Sequence, residues 1–270
     1  MGSREAPRTS PFPRPQLSPT ALPAAENPPP ATATGDECRT LSIELASILC
    51  ARQQRGSPTR PRKGDDLLPP EAYARHDESP DDQFYSFPRK VVHIDEGAIA
   101  ALGRLYAERL PAGGRVLDLM SSWRSHLPAD LLLGDVVGLG MNVEEMTENP
   151  QLTRSIVHDV NRDPRLPFGD EEFDGAVCAV SIQYVTDPLS VFREVRRVLR
   201  PGAPFVVSFS NRCFPTKAVA VWLGTSDRQH VELVAAYFEA AGGWADVTEE
   251  DRSPGDLGDP LYAVWARTSS

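Results

Sequence analysis

The groups best suited to chemistry in this chain cluster in one short stretch, VLDLMSSW at residues 116–123. An apolar run that ends in an acid, two hydroxyls and an indole reads as a strand leading into the turn where an α/β fold presents groups to a phosphate, a nucleotide or a carboxylate. Asp118 either accepts backbone N–H bonds that orient the turn or acts as a plain strand-end cap. Ser121 and Ser122 supply hydroxyls, and Trp123 supplies an aromatic wall. The turn contains no glycine, so side chains fill space that a glycine turn leaves open to a ligand. A second acid, Asp159, ends the run SIVHDV at 155–160 and either accepts from a ligand amino group or shapes a turn.

Other candidates are more scattered. His93 has the titration range of a general base, although a lone histidine also serves structural ends. Tyr184 and Gln183 follow the run GAVCAV, and Tyr85 and His93 lie in a segment able to fold over a site as a lid. Trp123, Trp222 and Tyr237 form an aromatic wall or fill a core. Asn211 and Arg212 fix an anionic group or face solvent. Four cysteines, Cys38, Cys50, Cys178 and Cys213, lack CxxC spacing, so neither a metal site nor a disulfide frame is expected.

These groups need a scaffold. The first thirty residues hold nine prolines, and residues 1–35 are expected to be disordered, with an organelle transit peptide as the alternative. Residues 36–93 are expected to carry an amphipathic helix at 37–51 packed on the body, a polar linker at 52–66, and the possible lid. From residue 94 to 270 the pattern is regular. A helix is predicted at about 95–110 behind Asp95, then strands at 115–120, 136–140, 155–160, 175–180 and 204–210, with a loop and short helix to Leu133 and helices from Asn142 and from Pro188 to Leu199. Short apolar runs separated by helices call for a parallel sheet covered on both faces. One or two helices and two closing strands, WADVTEE and PLYAVWART, end the chain; the strands should pair antiparallel at the sheet edge. The expected fold is α/β, a doubly wound, seven-stranded Rossmann-like sheet with an antiparallel C-terminal pair.

Five parallel strands with an antiparallel closing pair resemble the class I S-adenosylmethionine-dependent methyltransferases. The stretch HDVNRDPRLPFGDEEFDGAVCAVSIQYVTDPLSVFREVRRVLRPGAPFVVSFSN is similar to methyltransferase type 11 from the third strand to the fifth. VLDL and VVGLGMN sit where that family has its first and second strands, and the D-L-x-S-S-W first loop resembles a plant and microbial subgroup. The resemblance, over roughly 85–268, implies an S-adenosyl-L-methionine site built from Asp118, Met120, Ser121, Ser122, Trp123, Met141, Asn142, Asp159, Val160 and Ser181. Tyr184 and His93 stand on the catalytic side. Two departures stand out. The family's glycine-rich first loop is replaced by Met120 to Trp123, with the serine hydroxyls and a following helix N-terminus left to receive a carboxylate. Gly140 stands where an acid usually binds the ribose, so Asn142, Glu144 or Glu145 would have to substitute.

The implied function is methyl transfer to a small molecule, the alternative being a non-catalytic protein of the same fold with a degenerate site. A nicotinamide reductase is disfavoured by the absent GxGxxG. The net charge of −10 disfavours nucleic acid, and no run is long and apolar enough to span a membrane. A cytoplasmic location is expected, or an organelle if the tail is a transit peptide.

Overall fold

The apolar runs read from the sequence become strands of one sheet in the computed structural model, which describes residues 67–255 and 258–269. All of these belong to one compact unit. The expected tail at 1–35, helix at 37–51 and linker at 52–66, with Cys38 and Cys50, lie outside the described residues.

The strands are β1 (Arg115–Leu119), β2 (Asp135–Gly140), β3 (Arg154–Val157), β4 (Gly175–Ala179), β5 (Pro204–Phe209), β6 (Trp244–Asp251) and β7 (Tyr262–Thr268), in the order β3-β2-β1-β4-β5-β7-β6. The first five run parallel, and β7 is antiparallel to both β5 and β6. The closing pair is present as expected, with the later strand set inside, against β5, and β6 at the edge.

The helices are α1 (Asp81–Phe84), α2 (Glu96–Arg109), α3 (Val143–Thr147), α4 (Pro188–Val198), α5 (Ala220–Leu223) and α6 (Asp227–Ala241). Their ends follow local rules. The Asp95 side chain accepts from Ala98 N at 2.8 Å to start α2, and Asn142 accepts from Glu145 N at 3.0 Å to start α3. Asp187 accepts from Ser190 N at 3.1 Å, with Pro188 at the first helical position of α4.

Alternation along the strands sends residues to two cores. Val116, Val136, Val177 and Val206 pack against α2, with Leu102, Leu105 and Tyr106. Leu117, Val137, Phe205 and Val207 face the other way, onto Val191 and Val195 of α4 and Leu233 and Phe238 of α6. The sheet is therefore covered on both faces, as its unbroken apolar strands require. No helix among the described residues is long and apolar enough to cross a membrane.

One expected element is missing. The connection from Met120 to Gly134 contains no helix. Its backbone is satisfied from outside instead: Ser121 N donates to Leu139 O at 2.8 Å, and Asn149 Nδ2 donates to Ser122 O at 2.9 Å. The Gln151 amide likewise donates to Leu127 O. Long-range partners thus replace the i to i−4 bonds that a helix would supply, and Pro128 interrupts the run. No helix N-terminus follows the first loop to receive a carboxylate, contrary to the expectation from sequence.

Candidate functional site

A parallel sheet gathers the carboxyl ends of its strands at one edge, and a crevice forms where the strand order reverses, here between β1 and β4. That crevice, a cavity of about 110 Å³, is lined by Asp118, the loop Met120 to Trp123, Met141, Asn142, Asp159, Val160, Ser181, Tyr184 and His93. The twelve residues that the resemblance put at the cofactor and catalytic positions thus line one crevice.

Their geometry shows how the loop and Gly140 depend on each other. A Cβ placed on Gly140 would lie 2.1 Å from the carbonyl oxygen of Ser121, because the loop after β1 crosses directly over the end of β2. The two departures noted in the sequence are one structural event: the loop takes the position from which a side chain at residue 140 would otherwise project. Asp118 is buried beneath this loop, and its Oδ2 accepts from Ser121 Oγ and Ser125 Oγ, both at 2.6 Å.

Burial pushes the Asp118 carboxyl up to about 6, and the two serine hydroxyls offset only part of that effect. Its folded-state value thus lies above the unfolded one near 4. The associated stability is fully present below about pH 4 and is lost as pH rises through 6. Compared with Asp118→Asn, the wild type should lose up to about 3 kcal/mol between pH 4 and pH 7, at ~1.4 kcal/mol per pH unit. Urea unfolding of both proteins at the two pH values checks this; a constant difference between them would contradict it.

The segment from Asp81 to His93, which the sequence suggests as a possible lid, lines the crevice, and each tie to its walls has a named donor. Trp123 Nε1 donates to Val91 O at 2.9 Å, and Asn142 Nδ2 donates to Tyr85 O at 2.8 Å. Glu145 links both sides, accepting from Arg89 N and from Ser122 Oγ at 2.6 Å each. The base of the lid is held by a buried polar cluster. Arg75 Nη1 meets both carboxylate oxygens of Asp81 at 2.9 Å, Asn161 Nδ2 donates to Asp81 Oδ2 at 2.9 Å, and Lys217 Nζ lies 3.2 Å from Asp81 Oδ1.

Backbone conformation marks the same place. Of the six non-glycine residues with positive φ among the described residues, Lys90 (37°), Met120 (58°), His126 (56°) and Val180 (48°) line the crevice. Such conformations cost ~1–3 kcal/mol each and concentrate at functional sites. For β-branched Val180 the positive φ is a marked departure.

The acid–base groups differ in what they can do. Burial pulls the His93 imidazole below its ordinary range, against the opposing pull of Glu145, so the ring is neutral at pH 7 and able to accept a proton. It has no hydrogen-bond partner among the described residues and meets Phe214 edge-on at 4.9 Å between ring centres. His126 is pulled down to about 4 by burial, helped by His93 and Arg124. The Tyr184 phenol is raised by burial, and its oxygen accepts from Phe214 N at 2.8 Å, so this group keeps its proton. Asp159 Oδ1 caps a turn by accepting from Asn161 N at 2.9 Å and Arg162 N at 3.2 Å, while Oδ2 has no partner among the described residues.

Several sequence candidates lie elsewhere. Gln183 is buried and donates to Val180 O at 2.9 Å. Trp222 stacks on His230 with 3.9 Å between ring centres, and Tyr237 packs within the core, so of the three aromatic candidates only Trp123 lines the crevice. Arg212 pairs with Asp259 at 2.9 Å on the surface. Conversely, Arg89, His126, Asn161, Asp81 and Phe214 line the crevice without having been singled out. Asn161 carried a readable signal, since it lies two residues after an acid already marked; the others come from stretches with no local pattern.

Residues 126–207 match the family model for a methyltransferase domain, a span that begins just after the first loop and runs into β5. The chain is 34% identical over 79 residues to methyltransferase phqN of Penicillium fellutanum, covering 27% of this chain and 24% of that protein. It is 31% identical over 72 residues to the malonyl-[acyl-carrier protein] O-methyltransferase of a Marinomonas species, covering 27% of each. The matches to curated relatives, including a biotin biosynthesis bifunctional protein of Teredinibacter turnerae, span only 8% to 27% of the length of those proteins. Among solved structures, a chain from the complex between the Haloferax volcanii Trm112 methyltransferase activator and a methyltransferase superposes with a TM-score of 0.50 at 16% identity, over 65% of this chain and 91% of that one. The fold is thus the seven-stranded Rossmann-like fold with antiparallel C-terminal strands found among methyltransferases.

Proposed function

We propose that this chain transfers a methyl group from S-adenosylmethionine to a small-molecule acceptor, as a relative of the methyltransferases whose first loop reads D-L-x-S-S-W. The observation that carries the reading is the crevice at the carboxyl ends of β1, β2 and β4, where an Asp159 carboxylate oxygen with no partner among the described residues and the neutral imidazole of His93 line one cavity. The residues fit the adenosine half of the cofactor: Asp159 Oδ2 accepts from an amino group, and Val160 and Met120 offer apolar contact. For the amino-acid half, the donors are Ser122 Oγ, Trp123 Nε1 and Asn142 Nδ2, all engaged in ties between the lid, the loop and α3. A cavity of about 110 Å³ is smaller than the ~300–1,000 Å³ usual for such ligands, so binding requires the lid to lift and release those donors.

When bound, the cofactor supplies an electrophilic methyl group. The chain aligns the acceptor and excludes water. His93 holds the proton that an O–H or N–H acceptor gives up, and Tyr184, which stays protonated, fixes the backbone of Phe214 against the imidazole.

Calorimetry of the full chain with S-adenosylmethionine and S-adenosylhomocysteine tests the reading. Both should bind, and Asp159→Ala should weaken binding by ~1–3 kcal/mol, as expected for loss of a hydrogen bond to a charged group. A second reading is favoured by the Ser121 carbonyl lying over Gly140: a protein of this fold that does not use the cofactor. In that case neither ligand produces heat.

A further inference from the structure

The extended connection between β1 and β2 leaves a groove of about 570 Å³ beside α2, within the ~300–1,000 Å³ range of small-molecule sites. One wall is lowered by small residues, since Ala100, Gly103 and Ala107 recur along α2 at helical spacing. Ile99, Leu127 and Pro128 supply apolar surface.

The charges in the groove run against those of the rest of the body. Residues 1–63 hold nine Lys or Arg against five Asp or Glu, so the remainder carries a net −14 against −10 for the whole chain. Within that acidic body Arg104 and Arg124 both line the groove, and neither pairs with a carboxylate among the described residues. Arg124 lies over the Trp123 ring at 4.1 Å and donates to Trp123 O at 3.0 Å, which holds its guanidinium at the rim. Asp130 is the one acid among the described lining residues.

We propose that this groove binds an amphipathic carboxylate, a molecule apolar over most of its length with one anionic end. The apolar part lies along the small-residue stripe, and the carboxylate takes the fork of Arg104 or Arg124, the geometry in which guanidinium binds carboxylate best. Arg124 and His126 line both the groove and the crevice, so the ligand sits against the wall of the proposed reaction site. The proposal concerns binding alone and does not depend on methyl transfer.

The test is titration calorimetry of the full chain, free of cofactor, with dodecanoate below its micellar concentration and with dodecanol as the neutral match. Saturable binding of dodecanoate at one site, at least tenfold tighter than dodecanol, is expected. Ala100→Phe, at an exposed position that fills the groove without entering the core, should weaken binding at least tenfold. Arg104→Gln with Arg124→Gln should remove the preference for the carboxylate. Equal binding of acid and alcohol, or dodecanoate affinity unchanged by Ala100→Phe, overturns the proposal. So does an absence of saturable dodecanoate binding by the wild type. Since no cofactor is present, none of these results depends on the outcome for S-adenosylmethionine.

Discussion

Replacing Lys217 with methionine should lower stability by about 1 to 3 kcal/mol, because it strips buried hydrogen bonds from a cluster in which Asp81 keeps its Arg75 and Asn161 partners. Lys217 is completely buried, 3.2 Å from Asp81 Oδ1 and 3.3 Å from Asp77 Oδ2, and its ammonium donates to Ser79 O at 2.7 Å. Burial opposes ionisation of Asp81, but the Asn161 amide and the Arg75 guanidinium outweigh it and hold the carboxyl below its usual range, with Lys217 adding to them. Removing the ammonium while keeping the chain volume isolates the charge from the packing. For a domain of this size, ~2–4 °C per kcal/mol implies a fall in melting temperature of roughly 5 °C. Because the cluster holds the base of the lid, limited proteolysis should cut between residues 81 and 93 more readily in the variant. A shift below 2 °C with an unchanged digestion pattern would show that the cluster is not what fastens the lid.

Gly140→Ala should cost about 1 to 3 kcal/mol, the usual penalty for forcing a methyl group into filled space. The new Cβ would meet the Ser121 carbonyl oxygen at 2.1 Å, a distance that no side-chain rotation relieves because both groups are tied to backbone. The loop would have to leave β2, breaking the Ser121 N to Leu139 O bond and disturbing the Ser121 hydroxyl on Asp118. Gly169→Ala provides the control, since nothing lies closer than 3.6 Å to a Cβ there. Equilibrium unfolding of the two variants should differ by at least 1 kcal/mol. If Gly140→Ala proves as silent as Gly169→Ala, the loop does not cross over β2 in solution. Gly140→Asp, which supplies the acid that the sequence lacks at this strand end, should be worse still and should not improve cofactor binding unless the loop first moves.

The amino-acid sequence by itself determined the elements and their order. Runs such as VLDL, GAVCAV and PFVVSF are short, apolar and flanked by turn formers, so both the strands and the burial of both their faces follow from local composition. Asp95, Asn142 and Pro188 marked helix starts that lie within a residue of those observed. Once five such strands run parallel, their carboxyl ends share an edge, which is why residues picked from four separate stretches line one crevice. Tertiary structure alone decided what lies between those elements. The connection from Met120 to Gly134 forms no helix, and Leu139, Asn149 and Gln151 bond from outside to its Ser121, Ser122 and Leu127. Gly140 reads as a missing acid in the sequence and proves to be the space through which Ser121 passes. Asp81, Asn161 and Lys217 come from three distant stretches, and each is an ordinary surface residue type. Periodicity and capping act over a few residues and leave their mark in the sequence, whereas a buried ion cluster or a loop crossing a strand arises only when distant segments compete for the same hydrogen bonds and the same volume.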